Sequence, residues 1–489
     1  MILTIALIGM AVIAALGLRG RRGTHDLAEW TVGGRNFGKS ATWFLQAGEG
    51  FTTFTFLGVA NRTFIGGATA TYAIPYIPLS YIGVYFLGPR LWRLAKENEY
   101  LTQADYFADR YRSPLFGKLV ALIGVVFLLP YLQLQITGLG TIVQLVTGSR
   151  SSGNWSMAIA TGLMVAFVLW SGIRGIASTA YLKDALMILA MVVLVIAVPA
   201  HFAGGVGDMF HEIRRSAPQL LTVPLNDGPA GSNWWISGVL ISAIGSAFFT
   251  LPHLWPPLLA SRDEQVIRSN NTWLPLYQVV IILPIIVGFT GLLAKFHGYH
   301  VPPGGVLLWL AGESLPKWMI GVIAVAAAAA AMVPAAAISL GISSLVARNL
   351  IPLRGERARL ALNHGTVIVV AGLTLLLAVH RPSALADLLL LTFSGLAQTA
   401  PAFLAALGDR RWLDKYPAMA GLLSGIAVVA WAEIGKHAAA LHNISSGIVG
   451  LVVNLAVCVV AQTLWTMIRK RTAPGATAPA ETGVRAAEK

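Results

Sequence analysis

Apolar runs of about twenty residues recur along almost the whole chain, and they constrain the fold more than any other feature. A helix needs about 20 residues to cross a bilayer. Thirteen runs are long enough, at residues 2–18, 41–66, 69–89, 119–146, 156–172, 184–203, 234–258, 274–294, 318–346, 366–380, 385–406, 417–433 and 444–467. Only 11% of the 489 residues are charged, against about 25% in soluble proteins. Because backbone groups in lipid must be paired within a segment, the sequence predicts an all-α polytopic membrane protein with thirteen transmembrane helices.

The distribution of basic residues predicts the orientation. The chain has 35 Lys and Arg residues and a formal net charge of +14. Most of them fall in loops that share one side if the N-terminus lies outside. Cytoplasmic loops carry such an excess in membrane proteins, so we expect an outer N-terminus, an inner C-terminus and a bacterial-type cytoplasmic (inner) membrane. No nucleic-acid partner is expected, because no basic stretch alternates with aromatic residues as in a nucleic-acid groove.

Sequence signatures of several other protein classes are missing. The basic residues Arg19, Arg21 and Arg22 follow the first apolar run, whereas a signal peptide carries its charge before the run, so we expect a retained helix. The single cysteine, Cys458, excludes an intrachain disulfide and a cysteine-based metal cluster. The sequence contains no zinc-binding His-Glu-x-x-His, no phosphate loop with a lysine and no Gly-x-Ser-x-Gly elbow.

The second apolar run contains a carboxylate in an unusual setting. Glu49 lies between Gly48 and Gly50, and threonines follow at positions 52, 53 and 55. An ionisable group at bilayer depth costs about 2.5–3.5 kcal/mol on insertion scales and is tolerated mainly where it faces a cavity or a partner. Glycine weakens the helix and lets backbone carbonyls reach a ligand. These residues predict an interrupted transmembrane helix that lines a transport site; the alternative is a glutamate buried against another helix and hydrogen-bonded there.

Two stretches of the chain each begin with an interrupted apolar run. Residues 41–203 and 234–406 each contain five apolar runs, and the first run of the second stretch is interrupted between Gly245 and His253. An odd number of spans forces the two units into opposite orientations, and a matched pair of interrupted helices points to the binding site of a secondary transporter. We therefore expect a five-plus-five inverted repeat. The other predicted segments are an N-terminal helix and loop (1–40), an extracellular loop (204–233), C-terminal helices (407–470) and a disordered tail (471–489).

Several short motifs resemble those of the sodium:solute symporter family, and within it the monocarboxylate-permease branch. They are EWTVGGRNFG at 29–38, YLQLQ at 131–135, SGIRG at 171–175 leading to Lys183 and Asp184, and VPA at 333–335 leading to Ser339, Arg348 and Asn349. The similarity extends from residue 29 to about residue 470. The resemblance implies thirteen helices with the five-plus-five inverted repeat of LeuT-like transporters, alternating access and ion-coupled uptake.

The resemblance also implies a sodium site, of which this chain keeps only part. In the family, two backbone carbonyls of the first broken helix and two side-chain hydroxyls of a later helix hold the ion. The carbonyls would come here from Ala47 and Gly50. The hydroxyl positions fall on Val333 and Pro334, neither of which has a side-chain oxygen. Ser339 lies more than one helical turn further on and would substitute only if that helix were shifted.

A proton carried by Glu49 is the alternative coupling ion. An ionised Glu49 would repel a substrate anion, and loading a proton removes that conflict. Asp184 resembles the family's acidic residue on the path of the ion to the cytoplasm. The other interpretation of Asp184, placed at the start of its span, is an ion pair with Lys183 or Arg174. No cofactor is expected apart from the coupling ion, sodium or a proton.

Seven residues near the two interruptions and in the fourth span are candidates for substrate contact. They are Glu49, Thr52, Thr53, Gln133, Gln135, Phe248 and His253. Two residues that are two apart on a helix cannot both face one cavity squarely, so we expect one glutamine to touch substrate and the other to bond a neighbouring helix. The threonines have an alternative in bonding to their own helix carbonyls. His253 is either a gate or proton relay, or a packed interfacial side chain.

Together these features predict a transporter and not an enzyme. We expect a symporter that imports a small organic anion, a short monocarboxylate such as lactate, pyruvate or acetate, driven by sodium or protons. The substrate class follows mainly from the branch resemblance, and the positive ends of half-helices can receive a carboxylate. The alternatives are a neutral or zwitterionic solute such as an amino acid, and a transporter-like solute sensor. The expected partners are the small-molecule substrate and the lipid bilayer.

Overall fold

The structure is a computed structural model in which regular structure is almost entirely helical. It describes residues 1–18, 27–147, 153–226, 228, 231–302, 304–380 and 385–472. The first ten α-helices are α1 (Ile2–Leu18), α2 (Leu27–Val32), α3 (Lys39–Gly50), α4 (Val59–Gly66), α5 (Ala73–Glu97), α6 (Gln103–Arg110), α7 (Pro114–Thr147), α8 (Gly153–Ala203), α9 (Val206–Ser216) and α10 (Ser232–Ala247). The others are α11 (Trp255–Leu259), α12 (Glu264–Gln278), α13 (Ile282–Phe296), α14 (Val306–Ser314), α15 (Lys317–Leu345), α16 (Glu356–His380), α17 (Leu385–Leu396), α18 (Ala400–Leu407), α19 (Lys415–Glu433) and α20 (Ser446–Thr472).

Helices of membrane-crossing length account for most of the described chain. Eight are long and apolar enough by themselves, and the bent pair α10 and α11 adds a ninth. The eight cover Pro114–Thr147, Asn154–Ala203, Glu264–Phe296, Lys317–Leu350, Glu356–His380, Leu385–Leu407, Lys415–Glu433 and Ser446–Arg469. These elements agree with the expected all-helical membrane class. The predicted tail lies outside the described residues from position 473 onward, as do positions 19–26 of the predicted N-terminal loop and positions 227, 229 and 230 of the predicted loop 204–233.

Helix α8 has two arms joined at one glycine. Its 51 residues would extend about 75 Å at 1.5 Å per residue, more than twice the ~30 Å hydrocarbon core. Gly172 breaks the helix with φ 48° and ψ −175°, which only glycine adopts readily. The second arm begins at residue 173, so Asp184 lies well inside a helix and not at its start, where the sixth span was predicted to begin.

Both predicted interruptions are present, and each begins at a helix end. Helix α3 ends at Gly50, the chain bends at residues 51 and 52, and a short π-helix (Phe54–Gly58) leads into α4. Helix α10 ends at Ala247, and the chain resumes helical structure only at Pro252. Phe249 has a φ of 53°. Helices α10 and α11 are bent by 44° relative to each other.

Helix α15 is enclosed by other helices, and alanine is its most frequent residue, at 10 of 29 positions. Every residue from 323 to 345 is buried, including the continuous alanine run 326–331. It packs against α1, α7 and α8. Small side chains let helix backbones approach closely where lipid supplies no hydrophobic driving force. The composition of α15 therefore suits a central position among the long helices.

The motif segments 29–38 and 171–175 lie against each other. Arg174 donates from Nε to Glu29 Oε1 at 2.5 Å and from Nη2 to the Gly33 carbonyl at 2.9 Å. The hydroxyls of Thr31 and Ser344, at the end of α15, are 3.1 Å apart. The segment before α3 is thereby held to both α8 and α15.

Asp105 joins α6 to the end of α15. Its carboxylate accepts the backbone N–H groups of Leu101 and Thr102 in a capping box at the start of α6. It also accepts Arg348 Nε at 3.0 Å and Asn349 Nδ2 at 2.8 Å. We call these residues the Asp105 cluster. One carboxylate thus caps a helix and neutralises a cation of another segment.

Asp105→Ala is expected to lower stability by about 2 kcal/mol, because buried donors and a cation lose their acceptor. The measurement is the melting temperature of the purified protein in detergent. Asp409→Ala is the control, since Asp409 is fully exposed and pairs with the half-exposed Arg90, an arrangement that contributes little. Equal melting temperatures for the two variants would contradict the role assigned to the Asp105 cluster.

Candidate functional site

A cavity of about 100 Å³ lies where the two interruptions meet. Helices α5, α7, α12 and α17 complete its wall. The first interruption contributes Glu49, Gly50, Thr52, Phe54 and Thr55, and the second contributes Phe249, Leu251, His253 and Leu254. This volume is well below the 300–1,000 Å³ of pockets for drug-sized ligands. The cavity can therefore accommodate a solute of only a few heavy atoms.

The wall of the cavity is largely aromatic and aliphatic, with separate polar groups. Its aromatic members include Tyr76, Tyr81, Tyr131, Phe249 and Phe393. The uncharged polar side chains are Gln46, Thr52, Thr55, Ser80, Ser246 and Asn271. None of the described residues lining the cavity is a lysine or an arginine. An apolar wall with a few polar groups is typical of small-molecule sites.

Glu49 is the acidic group of this cavity. Its side chain is 2% exposed, and His253 Nε2 lies 3.7 Å from Glu49 Oε2. Within the described part of the chain, neither carboxylate oxygen accepts a hydrogen bond, and His253 Nδ1 also has no partner. A buried polar group without a hydrogen bond is costly. The unpaired oxygens therefore point to a ligand or a proton as their missing partner.

A buried lysine binds the end of the first interrupted helix. Lys183 Nζ donates to the carbonyls of Gly48 at 2.5 Å and Phe51 at 2.7 Å, and it lies 3.0 Å from Asp184 Oδ1. The side chains of Lys183 and Asp184 are 0% and 1% exposed. Gly48 lies in the last turn of α3 and Phe51 directly follows it, at a place where backbone acceptors lose their helical partners. The second arm of α8 thus supplies the charge that satisfies them.

Gly50 permits a close approach of α12 to the interruption. A Cβ at this position would lie 2.0 Å from Gln278 Nε2. The same Gln278 nitrogen donates to the Tyr81 hydroxyl at 2.9 Å, and Tyr81 lines the cavity. Glycine at position 50 therefore allows the side chain of Gln278 to lie against the backbone and position a cavity residue.

The structure brings three of the seven predicted substrate-contact residues to the cavity. Glu49, Thr52 and His253 line it, whereas Thr53, Gln133, Gln135 and Phe248 do not. Gln135 Oε1 instead accepts the backbone N–H of Thr53 at 3.3 Å, and Gln133 Nε2 reaches the Leu377 carbonyl at 3.5 Å. At the second interruption the ring that lines the cavity is Phe249, one residue after the predicted Phe248.

The residues predicted to couple the ion are placed differently from the expectation. The Ala47 carbonyl accepts the N–H of Phe51, and the Gly50 carbonyl accepts the hydroxyl of Thr55. The ammonium of Lys183 binds the carbonyls of Gly48 and Phe51, and ion binding by the carbonyls of Ala47 and Gly50 stays a prediction. Asp184 lies beside Lys183, as one of its two alternatives predicted; Arg174 binds Glu29 instead.

The predicted hydroxyl positions and their substitute lie on α15. Val333 and Pro334 are buried there, and so is Ser339, whose hydroxyl has no hydrogen-bond partner among the described residues. Ser339 does not line the cavity. Lys183 was not among the predicted site residues, although a lysine followed by an aspartate inside an apolar segment was a usable signal.

Comparison with known proteins agrees with this architecture. The sequence model of the sodium:solute symporter family matches residues 30–425. An uncharacterized symporter of Bacillus subtilis (strain 168), YhjB, is 33% identical over 457 residues, covering 90% of this chain and 92% of that protein. A monocarboxylate transport permease protein of Rhizobium johnstonii is 28% identical and covers 89% of this chain and 90% of its own length. Other relatives are proline transporters.

The fold is also similar to that of solved transporters. A Na⁺-coupled sialic acid symporter in a substrate-bound outward-open state superposes with a TM-score of 0.79, at 14% identity, over 95% of this chain and 98% of that one. The family and its structural neighbours are secondary transporters and not enzymes. A family match over most of the length, a relative at 33% identity and a shared LeuT-like fold give one conclusion. This chain is a membrane transporter of the sodium:solute symporter family.

Proposed function

We propose that this protein is a symporter that imports a short monocarboxylate, such as lactate, pyruvate or acetate, by alternating access. The observation that supports it most is the small cavity at the two interruptions, which Glu49 lines and where its carboxylate accepts no hydrogen bond from any described residue. The cavity volume of about 100 Å³ suits a solute of this size. The relative named as a monocarboxylate transport permease supports the substrate class.

The charge of the site favours cotransport of a cation with an anionic substrate. Lys183 and Asp184 neutralise each other, so an ionised Glu49 leaves the site with one negative charge. Two like unit charges about 4 Å apart repel by about 4 kcal/mol at an effective dielectric constant of 20. A proton on Glu49 or a sodium ion near it removes this repulsion. The proposed driving ion is therefore a proton or sodium.

A zwitterionic solute such as an amino acid is the second candidate substrate. A free carboxylate and the absence of lysine and arginine from the described cavity wall suit a substrate with an ammonium group. The proline transporters among the relatives favour the same class. A solute sensor with the same fold would bind the solute without moving it, and flux measurements distinguish the two.

The proposed membrane topology has thirteen crossings in a five-plus-five inverted repeat. The crossings are α1, α3 with α4, α5, α7, residues 153–171, residues 173–203, α10 with α11, α12 with α13, α15, α16, α17 with α18, α19 and α20. The repeats would span about 41–203 and 234–406, and α19 and α20 would follow them. The distribution of basic residues supports an outer N-terminus and an inner C-terminus in a cytoplasmic membrane.

Counter-flow in proteoliposomes tests the transport function and the substrate together. We expect saturable exchange of labelled lactate, pyruvate or acetate and little exchange of alanine or proline. Dominant exchange of the amino acids would favour the second candidate, and binding without any flux would favour a sensor. Replacing sodium with choline at fixed pH, and then collapsing the proton gradient at fixed sodium, identifies the driving ion.

A further inference from the structure

The ammonium of Lys183 lies in a shell of three oxygen atoms. Two are the backbone carbonyls of Gly48 and Phe51, at 2.5 and 2.7 Å, and the third is Asp184 Oδ1 at 3.0 Å. A lysine ammonium has three N–H donors and no acceptor, so its donors match the three oxygens in number. The side chain is completely buried, with two donors on the carbonyls and the carboxylate of Asp184 at ion-pair distance.

This shell has the composition of an alkali-cation site. Hard cations take oxygen ligands from backbone carbonyls and carboxylates, and the unwound part of a membrane helix is where such carbonyls become free. Gly48 and Phe51 are three residues apart, at the end of α3. A Cβ at Gly48 would be 3.4 Å from Lys183 Nζ, so the ammonium is in contact with the backbone and fills the space between the carbonyls.

The opposite side of the expected sodium site is also altered. The two positions at which the resemblance places hydroxyl ligands are Val333 and Pro334, which have none. Both are buried in α15, and α15 packs against α3. The loss of oxygen ligands on α15 and the presence of an ammonium on α8 are independent observations, and both disfavour sodium at this position.

We propose that the Lys183 ammonium is a built-in cation that takes the place of a bound sodium ion at the end of α3, so that this transporter binds no sodium there and does not need it. The proposal rests on the transport function given above and specifies its coupling ion. Lys183 acts as a positioning residue, since it holds the backbone beside Glu49 and does not line the cavity.

Sodium binding to the purified full-length protein tests the proposal without any substrate. We expect no saturable binding of ²²Na⁺ to the wild type, and the same melting temperature in sodium chloride as in choline chloride. Lys183→Ala removes the ammonium and keeps the three oxygens, so it is expected to gain saturable ²²Na⁺ binding and a melting temperature several degrees higher in sodium. Lys118→Ala, which removes an exposed lysine of α7, is expected to behave as the wild type.

The other possible outcomes of the sodium-binding experiment either support or overturn the proposal. Saturable sodium binding by the wild type would overturn the proposal, and this measurement stands even if Lys183→Ala does not fold. A folded Lys183→Ala protein that ignores sodium would also overturn it, because the oxygens would then not form a cation site. If Lys183→Ala is stable only in sodium, the proposal is supported.

Transport experiments separate this proposal from the proposed function. Wild-type counter-flow that is unchanged when choline replaces sodium supports both. Counter-flow that requires sodium overturns the built-in cation and leaves the transport function intact. If no solute exchanges under any condition, the transport function fails, and the sodium-binding result still decides whether Lys183 substitutes for the ion.

Discussion

Replacing Glu49 with glutamine is expected to abolish concentrative uptake while substrate exchange continues. Glutamine has nearly the same shape as glutamate but neither binds nor releases a proton, so it cannot link substrate movement to an ion gradient. The change also removes a buried carboxylate that has no hydrogen bond among the described residues, so the melting temperature should not fall. The expected phenotype is thus a folded protein that equilibrates its substrate and does not accumulate it.

The two activities are measured in the same proteoliposomes. Accumulation is followed with an imposed ion gradient, and exchange is followed by counter-flow without one. Glu313→Gln is the matched control, because Glu313 is an exposed residue of α14 and should leave both activities unchanged. Wild-type accumulation by Glu49→Gln would remove Glu49 from the coupling mechanism, and loss of both activities at equal folding would assign it to substrate binding instead.

Gly341→Ala is expected to reduce transport about tenfold, which corresponds to about 1.4 kcal/mol. Gly341 lies on α15 against the second interruption, and a Cβ there would be 2.9 Å from His253 Cα. No rotamer change relieves a clash with backbone, so either α15 or the His253 segment must move. Such overpacking typically costs about 1–3 kcal/mol of stability. His253 lies 3.7 Å from Glu49 and lines the cavity, so a shift of the His253 segment changes the shape of the cavity.

The control for Gly341→Ala is the same substitution at Gly372. Gly372 lies within α16, and a Cβ there would meet no atom within 4 Å. Alanine in an open helical position is favoured over glycine by up to about 1 kcal/mol, so Gly372→Ala should leave counter-flow unchanged and melt slightly higher. If the two variants transport equally well, the close contact between α15 and His253 is not required for the cycle.

The interruptions were predictable because their causes are local. Glycine on both sides of Glu49 and the segment from Gly245 to Pro252 disfavour continuous helix whatever surrounds them, and both helices are indeed interrupted there. The placement of Glu49 and His253 near each other follows from two such interruptions meeting. The long-range partners were not predictable in this way, since sequence distance does not indicate that Asp105 meets Arg348.

Lys183 and Asp184 show why part of the site was missed. Charged residues normally mark the end of a membrane span, so the pair was placed at a boundary. In the structure the two charges compensate each other and the carbonyls of the interrupted helix, which makes a buried position tolerable. The helix begins eleven residues earlier than Asp184, at residue 173, directly after the break at Gly172.

The many alanines of α15 affect how easily the neighbouring helices can shift relative to it. Alanine methyl groups project only a short way from the helix, which lets its backbone pack closely against α7 and α8. We expect such closely packed backbones to need little side-chain rearrangement when the bundle changes its arrangement, while the oxygen-bound ammonium on α8 keeps the end of α3 attached to that helix.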